Sequence, residues 1–544
     1  MSGSPKPDRR AVLRSLIGLA LAPIAALSPA RAGAAGAVSV ANGGKILIRL
    51  ADLVRMPVGG RLMARVRIPE TGAPVLGPEM EGPAHKLLWK LVFEGRAAGN
   101  AGDLYENRDR DHSRLPAASH PQLTHVYYDA PAREAGLDYG LAGPVIFDAP
   151  LIGNSSTAIG VGPLWRSQAR LALTMPLGAT LLYQNYLAGQ MHVYPEHRDH
   201  DPEFGDLFPA NTPFFLVSQG SSYTDRPHLE ALAMILAALR PETKAYLIEN
   251  QILSATVQMI LRRSLIPVLS REAYLSGQAH PSVIPGDHLN LSRMVSLANA
   301  MTPETVPPMV RMVVVSETQG VEGVDFFGEG LSEALFDTPV AIARLWRSHV
   351  ARRTMVVSAE TTRDPQGREL RFLWRLLRGD PERTRIEPLD DRGLRARITV
   401  DWQSPRAVPG RPEILSNRID IGVFAESGGF DSMPGLISIY LPQHETRVYA
   451  PGPDGVPRIA SRDFRLAPGR YADPVLFPVA EWRDDYRHDA SGALVGWDRT
   501  GPDGTLSFGA DGRRITPDGP RRVRHKVEQD AKIGARIVLE ESPD

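Results

Sequence analysis

Between Met191 and Glu203 the sequence reads MHVYPEHRDHDPE. Six side chains able to bind a metal or move a proton, His192, Glu196, His197, Asp199, His200 and Asp201, fall within ten positions. A second run, Tyr105 to Leu115 (YENRDRDHSRL), adds Glu106, Asp109, Asp111 and His112 in the same polar style. No other stretch gathers so many groups of this kind. A zinc or other transition-metal site wants three or four nitrogen and oxygen ligands, and a calcium site wants oxygens. His192, His197, Asp199 and His200 are the candidate ligands in the first run, the second run supplying the remainder. The spacing H-x4-H-x2-H matches no established metal signature. Two readings therefore stay open: a divalent ion, zinc or calcium, or a polar loop that holds itself by Asp–His hydrogen bonds and touches substrate.

Pro195 excludes a regular helix across the first run. In an extended segment alternate residues share a face, so His197 and Asp199 are expected to project together and His200 to the other side. The second run alternates likewise, with Asn107, Asp109 and Asp111 on one parity and Glu106, Arg108, Arg110 and His112 on the other. For acid/base work Asp109, Asp111 or Glu196 would be the base and His112 or His197 the acid. Arg108, with Asn107 beside it, would clamp an anionic or sugar-acid substrate. Against this stands a loop laced by its own Arg–Asp pairs, the common fate of charge runs.

Other candidate substrate contacts are weaker signals. Gly220-Ser221-Ser222 sits where a strand pattern meets a helix pattern, a place where free N–H groups favour anions. It is no G-x-S-x-G elbow, because Tyr223-Thr224 follows, which argues against a serine hydrolase. Its structural alternative is that Ser222 and Thr224 satisfy backbone groups. Tyr194, with Tyr183, Tyr186 and Trp165, would stack on a sugar or fill a core. Asn154-Ser155-Ser156-Thr157 has no evident partner, and His125 and His280 read as structural.

The elements that must position these residues follow from periodicity. Lys45 to Leu50 and Leu62 to Ile68 read as strands about a Gly59-Gly60 turn. From Leu87 to Gly160 regular periodicity is scarce, and irregular connections are expected. Phe214 to Ser218 reads as a buried strand. Thr224-Asp225 with Pro227 starts a helix whose Leu229, Leu232, Leu236 and Leu239 share one face. A second helix runs from Pro241 to about Arg263, with others at Leu289 to Met301 and Pro339 to Ala351, and a strand at Met309 to Val315. After Arg353 the rhythm becomes strands spaced by turns: Met355 to Ser358, Leu370 to Leu377, Arg395 to Trp402, Arg418 to Phe424 and Leu436 to Leu441. The tail from Pro451 carries Asp454-Gly455, Ser491-Gly492, Asp503-Gly504, Asp511-Gly512 and Asp518-Gly519, hairpin turns of a small β-meander. Its charged end, from Arg521, is expected to fray.

Length and composition bound the rest. The 544 residues are 43% hydrophobic and 23% charged, an ordinary globular balance that suits two to four domains. Arg9-Arg10, the apolar run Ser15 to Leu27 and Ala30-Arg31-Ala32 form a basic region, a short hydrophobic region and a cleavage site. That run is too short to span a bilayer, so residues 1–32 read as a twin-arginine-like export signal, with a Sec-type signal as the alternative. The expectation is a periplasmic or secreted protein with no transmembrane segment in the mature chain. The formal net charge is zero, and losing the five cations and one anion of residues 1–32 leaves −4. A mildly acidic surface argues against nucleic acid as a partner. The chain has no cysteine, which excludes thiolate catalysis and cysteine-ligated metals.

Ser358-Ala359-Glu360, Asp364-Pro365-Gln366-Gly367, Leu370, Phe372, Trp374 and Gly379-Asp380 resemble the opening strands of a PKD or related cadherin-like, immunoglobulin-type module. The resemblance covers roughly 90 residues and implies a β-sandwich in which the Asp-Pro-x-Gly turn joins two strands and the Trp fills the core. The expected plan is thus a large α/β or α+β domain (38–352), an all-β sandwich (353–445) and a β-rich tail (446–544). Exported chains of that plan resemble enzymes that degrade extracellular polymers, polysaccharides especially. An exported hydrolase acting on a glycan is the expectation, with a non-catalytic binding protein as the alternative.

Overall fold

Six short strands, all but the edge strand Lys45–Ile48 largely buried on both faces, build the sheet that carries both polar runs. They are β1 (Lys45–Ile48), β2 (Leu104–Arg108), β3 (Thr124–Tyr128), β4 (Leu151–Ser155), β5 (Gln190–Glu196) and β6 (Phe215–Gln219). All neighbours run parallel, in the order β1-β3-β2-β4-β5-β6. Parallel strands need crossovers and covered faces, and helices α1 (Pro83–Phe93), α2 (Gly178–Leu187), α3 (Arg226–Ala238), α4 (Pro241–Glu249), α5 (Leu253–Arg263) and α6 (Leu291–Ala300) enter one apolar cluster with strand residues Tyr105, Ile152, Val193 and Leu216. The chain leaves β2 towards β3 and leaves β4 towards β5. Adjacent strands whose connections diverge open a crevice at their carboxyl ends, the usual ligand site of such sheets.

The computed structural model describes residues 37–57, 61–69, 72–140, 145–155, 158–159, 166–196, 198–328, 330–427, 429–464, 475–476, 478–530 and 534–542. The leader-like segment, Gly59-Gly60, Ser156-Thr157, Trp165 and His197 lie outside them. Gly36 to Asp544 form one compact unit. Among the described residues no helix is long and apolar enough to cross a membrane.

The fold mixes α and β, with a β-rich C-terminal region. One sheet there pairs Val313–Glu317, Arg352–Ser358, Arg395–Asp401 and Thr384–Pro388. A second pairs Ala334–Thr338, Ala341–Leu345, Gly435–Tyr440, Arg418–Ser427 and Arg371–Arg378. Both contribute to one core, in which Met355, Val357 and Ile398 meet Phe372, Trp374, Ile421 and Ile437. Beyond it a seven-stranded meander turns at all five Gly-containing pairs read from the tail.

Several expected elements are corrected. Pro339 to Ala351 is not a helix but contains the strand Ala341–Leu345, fully buried between two partners. Burial on both faces erases the period that separates strand from helix. The helix expected from Pro241 to Arg263 is two helices, broken where Gln251 turns left-handed at φ 57° and Asn250 Nδ2 donates to the Tyr246 carbonyl at 2.9 Å. The stretch from Leu87 to Gly160 holds most of α1 and three sheet strands, hidden because their sequences (LYENR, THVYY, LIGNS) are polar. The charged end is a paired hairpin, Val523–Asp530 with Gly534–Glu541.

The connection from β5 to β6 makes an excursion into the C-terminal sheets. Gly205–Asp206 pairs beside Arg411–Ser416, and Leu207 packs with Leu345 and Tyr440. Asp206 is buried among cations: Arg418 Nη1 lies 2.9 Å from it, Arg378 is in direct contact, and the Ser416 hydroxyl donates at 3.1 Å. Burial alone would raise its pKa, but Arg418 and then Arg378 outweigh it and hold it at about 2. A depressed carboxyl adds stability above its unfolded value, and that contribution disappears as pH falls towards 2. Asp206→Ala removes the carboxylate that two buried guanidinium groups share, leaving Asp420 alone between them, and should cost about 3 kcal/mol. Urea unfolding at pH 7 checks this, and a loss below 1 kcal/mol would show that the cations find other partners.

Candidate functional site

Paired strand residues share a face, so the register sorts the polar side chains of the sheet. Tyr105, Asn107, Ile152 and Asn154 face one side; Glu106, Arg108, Gly153 and His192 face the other. On the second side Glu106 and His192 flank Gly153 across three neighbouring strands. His192 Nε2 lies 2.7 Å from Glu106 Oε1, and the Tyr128 hydroxyl donates to Oε2 at 2.8 Å. Burial works to raise Glu106, yet His192, Arg108 and Tyr128 together hold it below its ordinary value. Gly153 leaves the gap this pair crosses. A Cβ there would stand 2.8 Å from the Glu106 carbonyl, 2.9 Å from its Cγ and 3.1 Å from His192 Cδ2.

On the first side the crevice between β2 and β4 is shaped by Asn107. Its amide oxygen accepts from the backbone N–H groups of Asp109 and Asp111, at 3.1 and 3.0 Å. Its amide nitrogen donates to the His112 carbonyl at 2.7 Å and to Asn154 Oδ1 at 3.2 Å. The loop so held puts Arg110, Asp111 and Ser113 at φ 50°, 66° and 57°. Non-glycine residues adopt such backbone at roughly 1–3 kcal/mol each, and it concentrates where function demands a fixed shape. Opposite, the β6–α3 loop places Tyr223 at φ 81°, and its backbone N–H donates to Ser113 Oγ at 2.6 Å.

Three titratable groups line up from the interior outward. Asp225 is fully buried at the N-terminus of α3, but its side chain makes no cap bond, and neither oxygen accepts a hydrogen bond of normal geometry. Burial raises its pKa, with Ser113 and Asn154 close enough to oppose this in part. Asp109 comes next, at the end of β2 and 5% exposed. Burial first, and the neighbouring Asp225 charge, push it up to about 6 against the pull of His112. His112 is outermost: its Nδ1 is 3.8 Å from Asp109 Oδ1, and its side chain is 57% exposed.

The other candidates fall elsewhere. Asp111 points to solvent and pairs with Arg114 at 3.2 Å, because the left-handed turns break the alternation that would have set it beside Asp109. Arg108 is sealed beneath the sheet, donating to the Tyr139 carbonyl at 3.1 Å, and cannot clamp a substrate. Tyr194 is core, edge-on to Phe215 at 5.0 Å. Ser221 is exposed, and its carbonyl accepts from the Thr224 hydroxyl at 2.8 Å; Ser222 is half-buried beside it.

Glu196 is buried on the far side of the sheet from Asn107. Burial and then Asp199 raise it well above its ordinary value, and the Asp199 backbone donates to it. Asp199 also accepts from the Ser167 backbone at 3.2 Å and lies 3.4 Å from Arg170. His200, pushed down to about 4 by burial, has Nδ1 3.3 Å from Gln219 Oε1. The two polar runs therefore meet through Glu106 and His192 but serve opposite faces. Among the described residues, no group of three or more His, Asp or Glu side chains is placed to hold a metal ion.

Asp225 and Ser113 complete the site without having been singled out for chemistry, and Asn154, which had no evident partner in the sequence, finds one in Asn107. Asp225 resembled a helix cap, and only its unused carboxylate reveals otherwise. A cleft of about 470 Å³ opens elsewhere, around Arg363, Leu370 and Phe372. Its acids are each paired, Glu360 with Arg395, Asp364 with Arg368 and Glu369 with Arg392, so it offers no acid or base. No family model matches this chain, and no curated protein is similar to it.

Gly153→Ala should cost about 1–3 kcal/mol by overpacking, and His192→Ala about 3 kcal/mol or more by leaving Glu106 buried without its partner. The added methyl meets less resistance once the imidazole is gone, so the double variant should lose less than the two costs added. Chemical denaturation of the four proteins measures this; strict additivity would separate Gly153 from the pair.

Proposed function

We propose that the chain is an exported hydrolase acting on an extracellular glycan, with His112 as the base and Asp109 as the carboxylate that orients it. The observation that carries the reading is the line Asp225, Asp109, His112, running from sealed interior to solvent at the crevice where β2 and β4 diverge. His112 Nδ1 faces Asp109, which leaves Nε2 to take a proton from water. The separation of 3.8 Å is longer than a hydrogen bond, as is common before substrate binds.

Glycosidic cleavage uses two carboxylates that both reach the scissile bond. Here Asp225 is sealed, so the geometry favours an ester substituent on the sugar. Water loses a proton to His112 as its oxygen adds to the ester carbonyl carbon. The tetrahedral intermediate then expels the sugar oxygen, which takes the proton back from His112, leaving a carboxylic acid and a free sugar hydroxyl. Asp225 touches no substrate in this scheme; it tunes Asp109.

The glycan part of the proposal rests on the leader-like segment and on the C-terminal region. There the Asp364-Pro365-Gln366-Gly367 turn precedes a strand whose Trp374 is buried, its Nε1 donating to the Gly393 carbonyl at 2.8 Å. This supports a PKD-like, immunoglobulin-type module of the kind that accompanies polymer-degrading enzymes.

Acetate release from O-acetylated glycan oligomers tests the chemistry. The rate should rise with pH through about 6 as Asp109 ionises, and Asp109→Asn should displace that limb and lower kcat about 10²–10⁴-fold. His112→Ala should lower kcat similarly, and Asp225→Asn should move the limb to lower pH. A raised carboxyl stabilises the fold below its unfolded pKa, and this is lost as pH rises through the folded value. Asp109→Asn should therefore melt higher than the parent at pH 7.5 while being inactive, the opposite of a residue kept for structure. Full activity in His112→Ala would overturn the assignment. Glycan binding without turnover on any ester would instead favour a non-catalytic binding protein.

A further inference from the structure

Each of the two buried carboxylates is followed in sequence by an exposed arginine, Asp109 by Arg110 and Asp225 by Arg226. Neither guanidinium has a carboxylate within ion-pair distance among the described residues. Most other arginines here are paired, stacked or sunk in buried networks. Arg110 is instead held at the surface with its guanidinium 4.4 Å from the centre of the Tyr139 ring. Arg226 opens α3, where the helix N-terminus adds positive potential of its own. The loops that carry them are tied together by the Tyr223–Ser113 hydrogen bond, and exposed His112 stands on the first of them.

We propose that the substrate of this site is an anionic glycan, one bearing carboxylate or sulfate groups, which Arg110 and Arg226 recognise from the two loops that the Tyr223–Ser113 hydrogen bond joins. This rests on the hydrolase reading for the chemistry but not for the binding. Guanidinium groups match the planar oxygens of carboxylates and sulfates, and the ring under Arg110 fixes its orientation before the ligand arrives.

Affinity electrophoresis of the full chain in gels containing polygalacturonate, dextran sulfate or neutral dextran tests this without requiring turnover. The expected result is retardation by one or both anionic polymers and none by dextran; which polymer retards more separates carboxylate from sulfate recognition. Each arginine should contribute about tenfold in affinity, so Arg110→Gln with Arg226→Gln should weaken binding about a hundredfold. Arg363→Gln, in the distant cleft, should bind like the parent. Asp109→Asn should still bind, which keeps loss of binding distinct from loss of chemistry. Equal retardation by dextran, or unchanged binding in the double arginine variant, overturns the proposal. Loss of binding in that variant with no hydrolysis by the parent would uphold anion recognition and remove only the hydrolase reading.

Discussion

A carboxylate that cannot be hydrated governs how this chain is joined. Asp206 sits where the connection between the last two strands of the parallel sheet meets the C-terminal sheets, and it is ionised there chiefly through Arg418 and Arg378. Satisfying it fixes Gly205–Asp206 against Arg411–Ser416. That fixes where the chain re-enters the sheet as Phe215–Gln219, and hence where the loop to Asp225 begins. With no cysteine available to staple distant segments, a buried ion pair performs the task, supported by the small apolar cluster of Leu207, Leu345 and Tyr440.

The same economy recurs within the sheet. Gly153 lets Glu106 and His192 meet over the top of a strand, which locks the three central strands in register, and on the opposite face Asn107 and Asn154 hold the loop after Arg108. The tightly bonded underside and the strained upper loop belong together: left-handed backbone at Arg110, Asp111 and Ser113 survives only where the surrounding structure fixes it. The result is a basic carboxylate kept dry beneath an exposed imidazole.

Much of the C-terminal half was legible because strands such as Arg352–Ser358 and Arg395–Asp401 alternate between buried and open positions, and because Asp-Gly pairs leave hairpins little choice. The parallel sheet was far less so. Its strands carry Glu106, Asn107, His192 and Glu196 in the interior, where hydrogen bonds replace apolar contacts, so the usual signal of a buried strand is missing. Asp109 and His112 could be read as candidates from type and spacing. Their meeting could not, since it depends on a turn that breaks the strand alternation, and Asp225 was concealed by standing where helix caps stand. Arg108 and Tyr194 show the converse: residues suited to substrate by type were drawn inside by the register.

Asp206 and Arg418 are 212 positions apart in sequence. During synthesis the ribosome releases the strand Phe215–Gln219 and the loop after it long before their anchor exists. The crevice at the head of the sheet therefore cannot be anchored until Arg418 has emerged, and a chain cut short before it carries the side chains of a site without the site.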